Sequence, residues 1–179
     1  MLLYLFILLT MNTQKMNPIF VFSTDCKLEN WQVVDDIVMG GLSNGQLSLN
    51  SHGNGVFKGN VSIENNGGFS SIQLNLEGVE TANNQIIELQ LKGDGSLFQF
   101  RIKAAKYDRH SYVYDFKTTG QWETILIPLK DMFPSFRGYT LNIPNFDQSS
   151  IERIGFLKAS KKNSAFQLEI KSIALSNKL

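Results

Sequence analysis

Cysteine occurs once in the chain, at Cys26, so no internal disulfide can hold it together and the fold must rest on a hydrophobic core. The two histidines, His52 and His110, each stand without a second His or Cys at ligand spacing, which leaves no zinc pattern. Charge is scarce and balanced. Only 18% of residues are charged and the formal net charge is +1, so there is no electrostatic footprint for nucleic acid. Gly-x-Ser-x-Gly elbows and His-Glu-x-x-His pairs are missing, and with them the usual hydrolase signatures. No segment keeps a 3.6-residue apolar stripe beyond about two turns, so helix should be a minor component.

Long apolar runs are lacking too. Leu2–Leu9 is far too short to span a bilayer, and it has neither a basic residue in front nor a small-residue cleavage site behind. Residues 1–17 are therefore read as a leader or start-site artefact outside the fold, and residues 18–179 as a single domain without a transmembrane span. A lone cysteine fits a reducing compartment. The expected location is cytoplasmic, with export as the alternative if the apolar leader acts as a signal.

What is present alternates with period two. Ile87-x-Leu89-x-Leu91, Phe98-x-Phe100-x-Ile102, Tyr112-x-Tyr114-x-Phe116 and Phe166-x-Leu168-x-Ile170 each put apolar side chains on one face of a strand. Gln99, Arg101 and Lys103 fall on the polar face of the second. Gly53-Asn54-Gly55 and Gly93-Asp94-Gly95 read as hairpin turns, the latter joining the strands on either side of it. A change of phase at Ser172–Leu175 predicts a bulge near the carboxyl end. Lys130–Gly138 has no clean period and is expected to be an irregular loop carrying aromatics. With 42% hydrophobic residues over 179 positions, many short strands bounded by Gly, Asn or Pro predict an all-β antiparallel sandwich of the jelly-roll type.

One stretch organises the rest. Trp31–Asp35 favours a strand, Gly40-Gly41 permits a tight bend, and Ser43-Asn44-Gly45 is expected to turn the chain again. If the strand ran through them, Asp35 and Asp36 would point to opposite faces, which disfavours paired-carboxylate catalysis. A second cluster, Asn65-Asn66-Gly67-Gly68-Phe69, interrupts the strand pattern with turn-forming residues. The concentration of Gly, Asn and Asp in these non-periodic segments marks a candidate binding face of Asp35, Asp36, Met39, Gly40, Gly41, Ser43, Asn65, Asn66, Gly67, Gly68, Phe69, Phe136 and Arg137. The aromatics on the Tyr112 strand are expected in the core, whereas Phe136-Arg137 is the better exposed contact. Asp25, Asp35, Asp36 and Asp94 offer oxygens but at no calcium-loop spacing. No catalytic residue, metal or cofactor is expected.

Taken in order, Val34-Asp35-Asp36-Ile37-Val38-Met39-Gly40-Gly41-Leu42-Ser43, Glu64–Ser71, Gly93-Asp94-Gly95, Gly120–Thr124 with Ile127-Pro128-Leu129, Pro134–Gly138 and Ile154–Leu157 resemble the complex I intermediate-associated protein family from about Ile19 to Leu175. The resemblance implies a galactose-binding-like jelly roll similar to carbohydrate-binding modules. It also implies a non-enzymatic assembly factor or chaperone whose protein partner is a partly built intermediate of respiratory complex I. The chain departs from the mitochondrial members in lacking an Arg- and Ser-rich import extension. A carbohydrate-binding role for the same sandwich is the alternative.

Overall fold

Period-two alternation becomes two antiparallel sheets packed face to face in the computed structural model, which describes residues 16–82 and 85–177. The side chains of Met16, Val38 and Met39 lie outside that description, as do residues 1–15 of the expected leader. The first sheet runs β3 (Asn44–Leu49), β4 (Gly55–Val61), β13 (Ser164–Ser176), β6 (Ile86–Gly93), β9 (Glu123–Pro128), with β1 (Met16–Val21) also pairing to β13. Met16 and Asn17 stand opposite Ser176 and Leu175. The sheet thus takes in two residues assigned above to the leader.

The second sheet runs β11 (Tyr139–Thr140), β10 (Phe133–Phe136), β8 (Ser111–Lys117), β7 (Leu97–Lys103), β12 (Ser150–Ala159), β5 (Phe69–Glu80), β2 (Trp31–Asp35). The helical component among the described residues is three short 3-10 turns, at Asp36–Met39, Glu64–Asn66 and Leu129–Asp131. The expected bulge is present as a register shift between Ile170 and Ser172.

Alternating apolar residues of both sheets fill the space between them. Phe98, Phe100 and Ile102 of β7 are buried, as are Tyr112 and Phe116 of β8, so the aromatics of that strand belong to the core. Rings tie the layers together: Phe98 of one sheet meets Phe166 of the other at 6.4 Å between centroids, and Trp31 packs on Phe20 at 5.4 Å and Phe22 at 5.6 Å. Such edge and offset contacts add to the area that each ring buries.

Three local expectations are corrected. Gly93-Asp94-Gly95 does not close a hairpin, because β6 and β7 lie in different sheets and the turn carries the chain from one layer to the other. Asp94 secures that crossover by accepting from Ser96 and from the backbone N–H of Gln167. Asn44-Gly45 is not a turn but the start of β3, paired with Asn60 and Gly59. Lys130–Gly138 is more regular than expected, since Ser135 and Phe136 pair with Thr140 and Tyr139 in a small hairpin.

Phe156 is fully buried against Phe100, 5.2 Å between centroids. Truncating it leaves a cavity that neighbouring strands cannot close. Phe156→Ala is expected to cost about 3–5 kcal/mol in urea unfolding, against about 0.5 kcal/mol or less for the exposed Tyr107→Ala.

Candidate functional site

The strand β2 ends at Asp35, and the two carboxylates that follow one another in sequence go to different tasks. Asp35 Oδ2 accepts from the Gly45 N–H at 3.0 Å, fixing the start of β3. Asp36 is completely buried. Its carboxylate accepts from the Ser43 N–H at 3.0 Å, from Ser43 Oγ, and from the N–H groups of Gly68 at 2.6 Å and Phe69 at 3.1 Å. Burial alone would push this carboxyl up; the Ser43 hydroxyl and the Gly68, Phe69 and Ser43 N–H groups outweigh it and hold the pKa below the ordinary carboxylate value of 3.8.

The glycines around this knot answer to it. A Cβ on Gly41 would stand 2.2 Å from Asp36 Oδ1, and one on Gly67 would stand 2.7 Å from Oδ2. Gly40 takes φ +88 to close the 3-10 turn. Asn65 and Asn66, both exposed, hold φ of 53 and 60, a left-handed pair that suits asparagine. Met39 ends the 3-10 turn with its backbone, its side chain lying outside the described residues. Asp36, Gly41 and Ser43 are buried parts of the scaffold.

The other two candidate segments do converge. Gly67, Gly68 and Phe69 on one side and Phe136, Arg137 and Gly138 on the other border a trough of about 560 Å³ across the outer face of the second sheet. Arg137 holds φ +51 at the β10–β11 turn, and its guanidinium lies 5.4 Å from the Phe136 ring centre; Arg109 lies 5.1 Å from the same ring. Between these rims the floor is built from outward positions of β5, β12 and β7. In register across them stand Gln73, Gly155 and Arg101, and beside that row Asn75, Arg153 and Lys103.

Sequence reasoning missed the floor. Gln99, Arg101 and Lys103 were legible as one polar face, but nothing in the residues announced that β12 would lie beside β7 and bring Arg153 to them. Gly155 keeps the floor low, and a Cβ there would stand 2.5 Å from the Ile72 carbonyl oxygen. A second, shallower hollow of about 840 Å³ lies on the outer face of the first sheet, where Trp122 is 46% exposed beside Gln90, Lys92 and Glu169. Among the described residues no three His, Cys, Asp or Glu side chains converge as metal ligands, and no helix is long and apolar enough to cross a membrane.

Known proteins resemble this arrangement in two ways. Residues 20–170 match the family described as Complex I intermediate-associated protein 30 (CIA30). The fold is similar to the family 11 carbohydrate-binding module of the cellulosomal cellulase Lic26A-Cel5E of Clostridium thermocellum, with TM-score 0.66, 18% identity, and coverage of 90% of this chain and 93% of that one. The same kind of module in complex with a β-1,3-1,4-mixed-linked tetrasaccharide gives TM-score 0.64 at 18% identity, covering 90% and 94%. A family 29 carbohydrate-binding module gives 0.54 at 11% identity, covering 92% and 89%. These likenesses establish the jelly-roll, galactose-binding-like sandwich. No curated protein sequence matches the chain.

The Asp36 knot generates a pH prediction with a definite sign. Its folded pKa is depressed, so its stabilisation is present above the unfolded value of 3.8 and is lost as pH falls through the folded value. Asp36→Asn swaps an acceptor for an amide facing N–H donors and is expected to cost on the order of 3 kcal/mol at neutral pH. Urea titrations across the acid range should show a shallower decline below pH about 4 for the variant than for the parent protein. Equal acid limbs would remove Asp36 from this role.

Proposed function

The chain belongs to the complex I intermediate-associated protein 30 family, and from that premise we propose that it is a non-catalytic binding protein that holds a protein partner in the trough of its second sheet. The observation that carries the reading is the trough itself, where two rims rich in glycine and aromatics border a floor of amide and cationic side chains. Such a surface makes many directional contacts of the kind that hold a protein partner. The family's description supports an intermediate of respiratory complex I as the partner. A role as chaperone or assembly factor follows from holding that intermediate until its next subunit arrives.

Placing the partner on the second sheet shifts weight within the expected face. Phe69, Phe136 and Arg137 become contact residues, together with Gly67 and Gly68 as close-approach backbone. Asn65 and Asn66 stand at the rim. Asp35, Asp36, Gly40, Gly41 and Ser43 shape the rim from behind.

A second reading rests on Trp122. Its exposed indole over the hollow of the first sheet, with Gln90 and Glu169 nearby, has the form of a platform for a sugar ring. Saturable binding to a glycan array that disappears in Trp122→Ala would favour this reading over the first.

The test of the first reading is capture of tagged protein from the source cells in mild detergent, comparing the parent with Leu157→Trp. Leu157 faces the trough from β12 and is half-buried, so an indole there fills the space without disturbing the core. Complex I subunits should co-purify with the parent and fall at least about tenfold with the variant. Equal recovery from both proteins would move the partner off this face.

A further inference from the structure

The chain contains four arginines, Arg101, Arg109, Arg137 and Arg153, and all four line the trough of the second sheet together with Lys103. Among the described residues no aspartate or glutamate lines it. Composition does not force this, since the chain as a whole carries 17 basic and 16 acidic residues. Four positions spread over more than fifty residues of sequence reach one surface only through the strand order.

The five cations lack carboxylate partners of their own. Among the described residues the one ion pair is Lys27 with Glu29 at 3.8 Å, on the exposed surface. Inside the trough the partners are neutral. Arg153 donates through Nε to Asn75 Oδ1 at 2.7 Å and through Nη1 to Gln73 Oε1 at 3.4 Å. Arg101 donates to Gln99 Oε1 at 3.0 Å, and only through Gln99 does it connect to Asp115. Lys103 Nζ donates to the backbone carbonyl of Asp108.

Lys103 and Arg153 stand directly opposite each other across the β7–β12 pair. Like charges placed so are destabilising. Burial pulls Lys103 below the ordinary lysine range, Arg153 and Arg101 pull it further, and Asp108 only partly opposes them; burial lowers Arg101 as well, against the pull of Asp115. A fold that keeps Arg101, Lys103 and Arg153 half-buried and unmatched gives up stability at a place where a ligand would restore it.

We infer that the trough receives an acidic segment of a protein partner, whose Asp or Glu carboxylates pair with Arg101, Lys103 and Arg153 on the floor. The inference rests on the proposed binding function of this face and names the chemistry of what it holds. Arginine suits the task because its planar fork meets a carboxylate with two parallel hydrogen bonds. The remaining lining favours a peptide over an acidic sugar or a nucleotide. No Tyr or Trp among the described residues lines the trough, and the guanidiniums of Arg109 and Arg137 already lie over the Phe136 ring, which leaves the half-buried Phe69 as a single partial stacking surface. Val34, Phe69 and Leu157 instead offer apolar ground for side chains between the acids.

Fluorescence anisotropy tests this with a labelled Glu- and Asp-rich dodecapeptide carrying interspersed leucines, and with the same peptide after every acid is replaced by its amide. The acidic peptide should bind saturably, weaken as salt is raised from about 50 to about 300 mM, and bind at least about tenfold more tightly than the amide peptide. Arg101→Gln and Arg153→Gln should each weaken it about tenfold. Both variants should keep or gain thermal stability, by about 2 °C, because each relieves unmatched charge.

Equal binding of the amide peptide, or undiminished binding by both Gln variants, would overturn the inference. Tighter binding of oligogalacturonate or of a single-stranded oligonucleotide would overturn it in favour of that ligand. The double Gln variant in the capture experiment separates the two proposals. If Leu157→Trp loses the partner and the double variant keeps it, the acidic ligand is wrong and the binding face stands. If neither loses it, both fall.

Discussion

The arrangement of the loops depends on one buried carboxylate. Asp36 joins the segment after β2 to the segment before β5 by accepting from Ser43, Gly68 and Phe69. A carboxylate sealed from water would ordinarily take up a proton. Four hydrogen-bond donors supply the solvation that water no longer can and keep it ionised. Because those donors belong to different loops, the charge acts as a tie between elements more than thirty residues apart. It also dictates its surroundings, since Gly41 and Gly67 lie where any Cβ would strike it. Gly68 and Phe69, held at this tie, are the residues that form one rim of the trough.

The parts of the fold that were legible in the sequence are those governed by local geometry. Alternation along β7 and β8 identified which face of each strand is buried, and Asn65–Phe69 announced a break in the strand pattern. What the sequence hid was which strands become neighbours. Gly93-Asp94-Gly95 has the composition of a hairpin turn, yet it serves equally well to step between layers, because a glycine-rich turn fixes chain direction but not hydrogen-bond partners. Asp35 and Asp36 posed the same problem in miniature. Adjacent acids at a strand end look like a surface feature until the long-range donors that bury one of them are known.

The floor of the trough is hidden for the same reason. Arg101 and Lys103 come from β7, Arg153 from β12, and Arg109 and Arg137 from two separate turns. Each taken alone is an ordinary solvated cation on the polar side of a strand or in a loop. Their convergence follows from the placing of β12 between β5 and β7, an outcome decided by how the two apolar faces close on one another. The cluster is thus a product of core packing seen from the outside. The half-burial of Arg101, Lys103 and Arg153 follows too, since outward side chains in the middle of a seven-stranded sheet are screened by neighbours on both flanks, while Arg109 and Arg137 on their turns stay exposed.

Likeness to carbohydrate-binding modules speaks to the scaffold, and the chemistry of the face decides what the scaffold is used for. A sandwich recognises neutral sugars best when flat aromatic rings lie open on its outer surface, because the driving force is burial of an apolar sugar face against a ring. In this chain Phe136 at the trough is overlaid by two guanidiniums, Phe69 on the opposite rim is half-buried, and the open indole, Trp122, lies on the other sheet. Guanidiniums held over a ring are oriented by it at little entropic cost. That preorganisation favours a charged, planar group arriving at the rim over a ring that would have to displace them. One sandwich fold can therefore serve different ligands, with the difference carried by a few outward side chains that leave the core untouched.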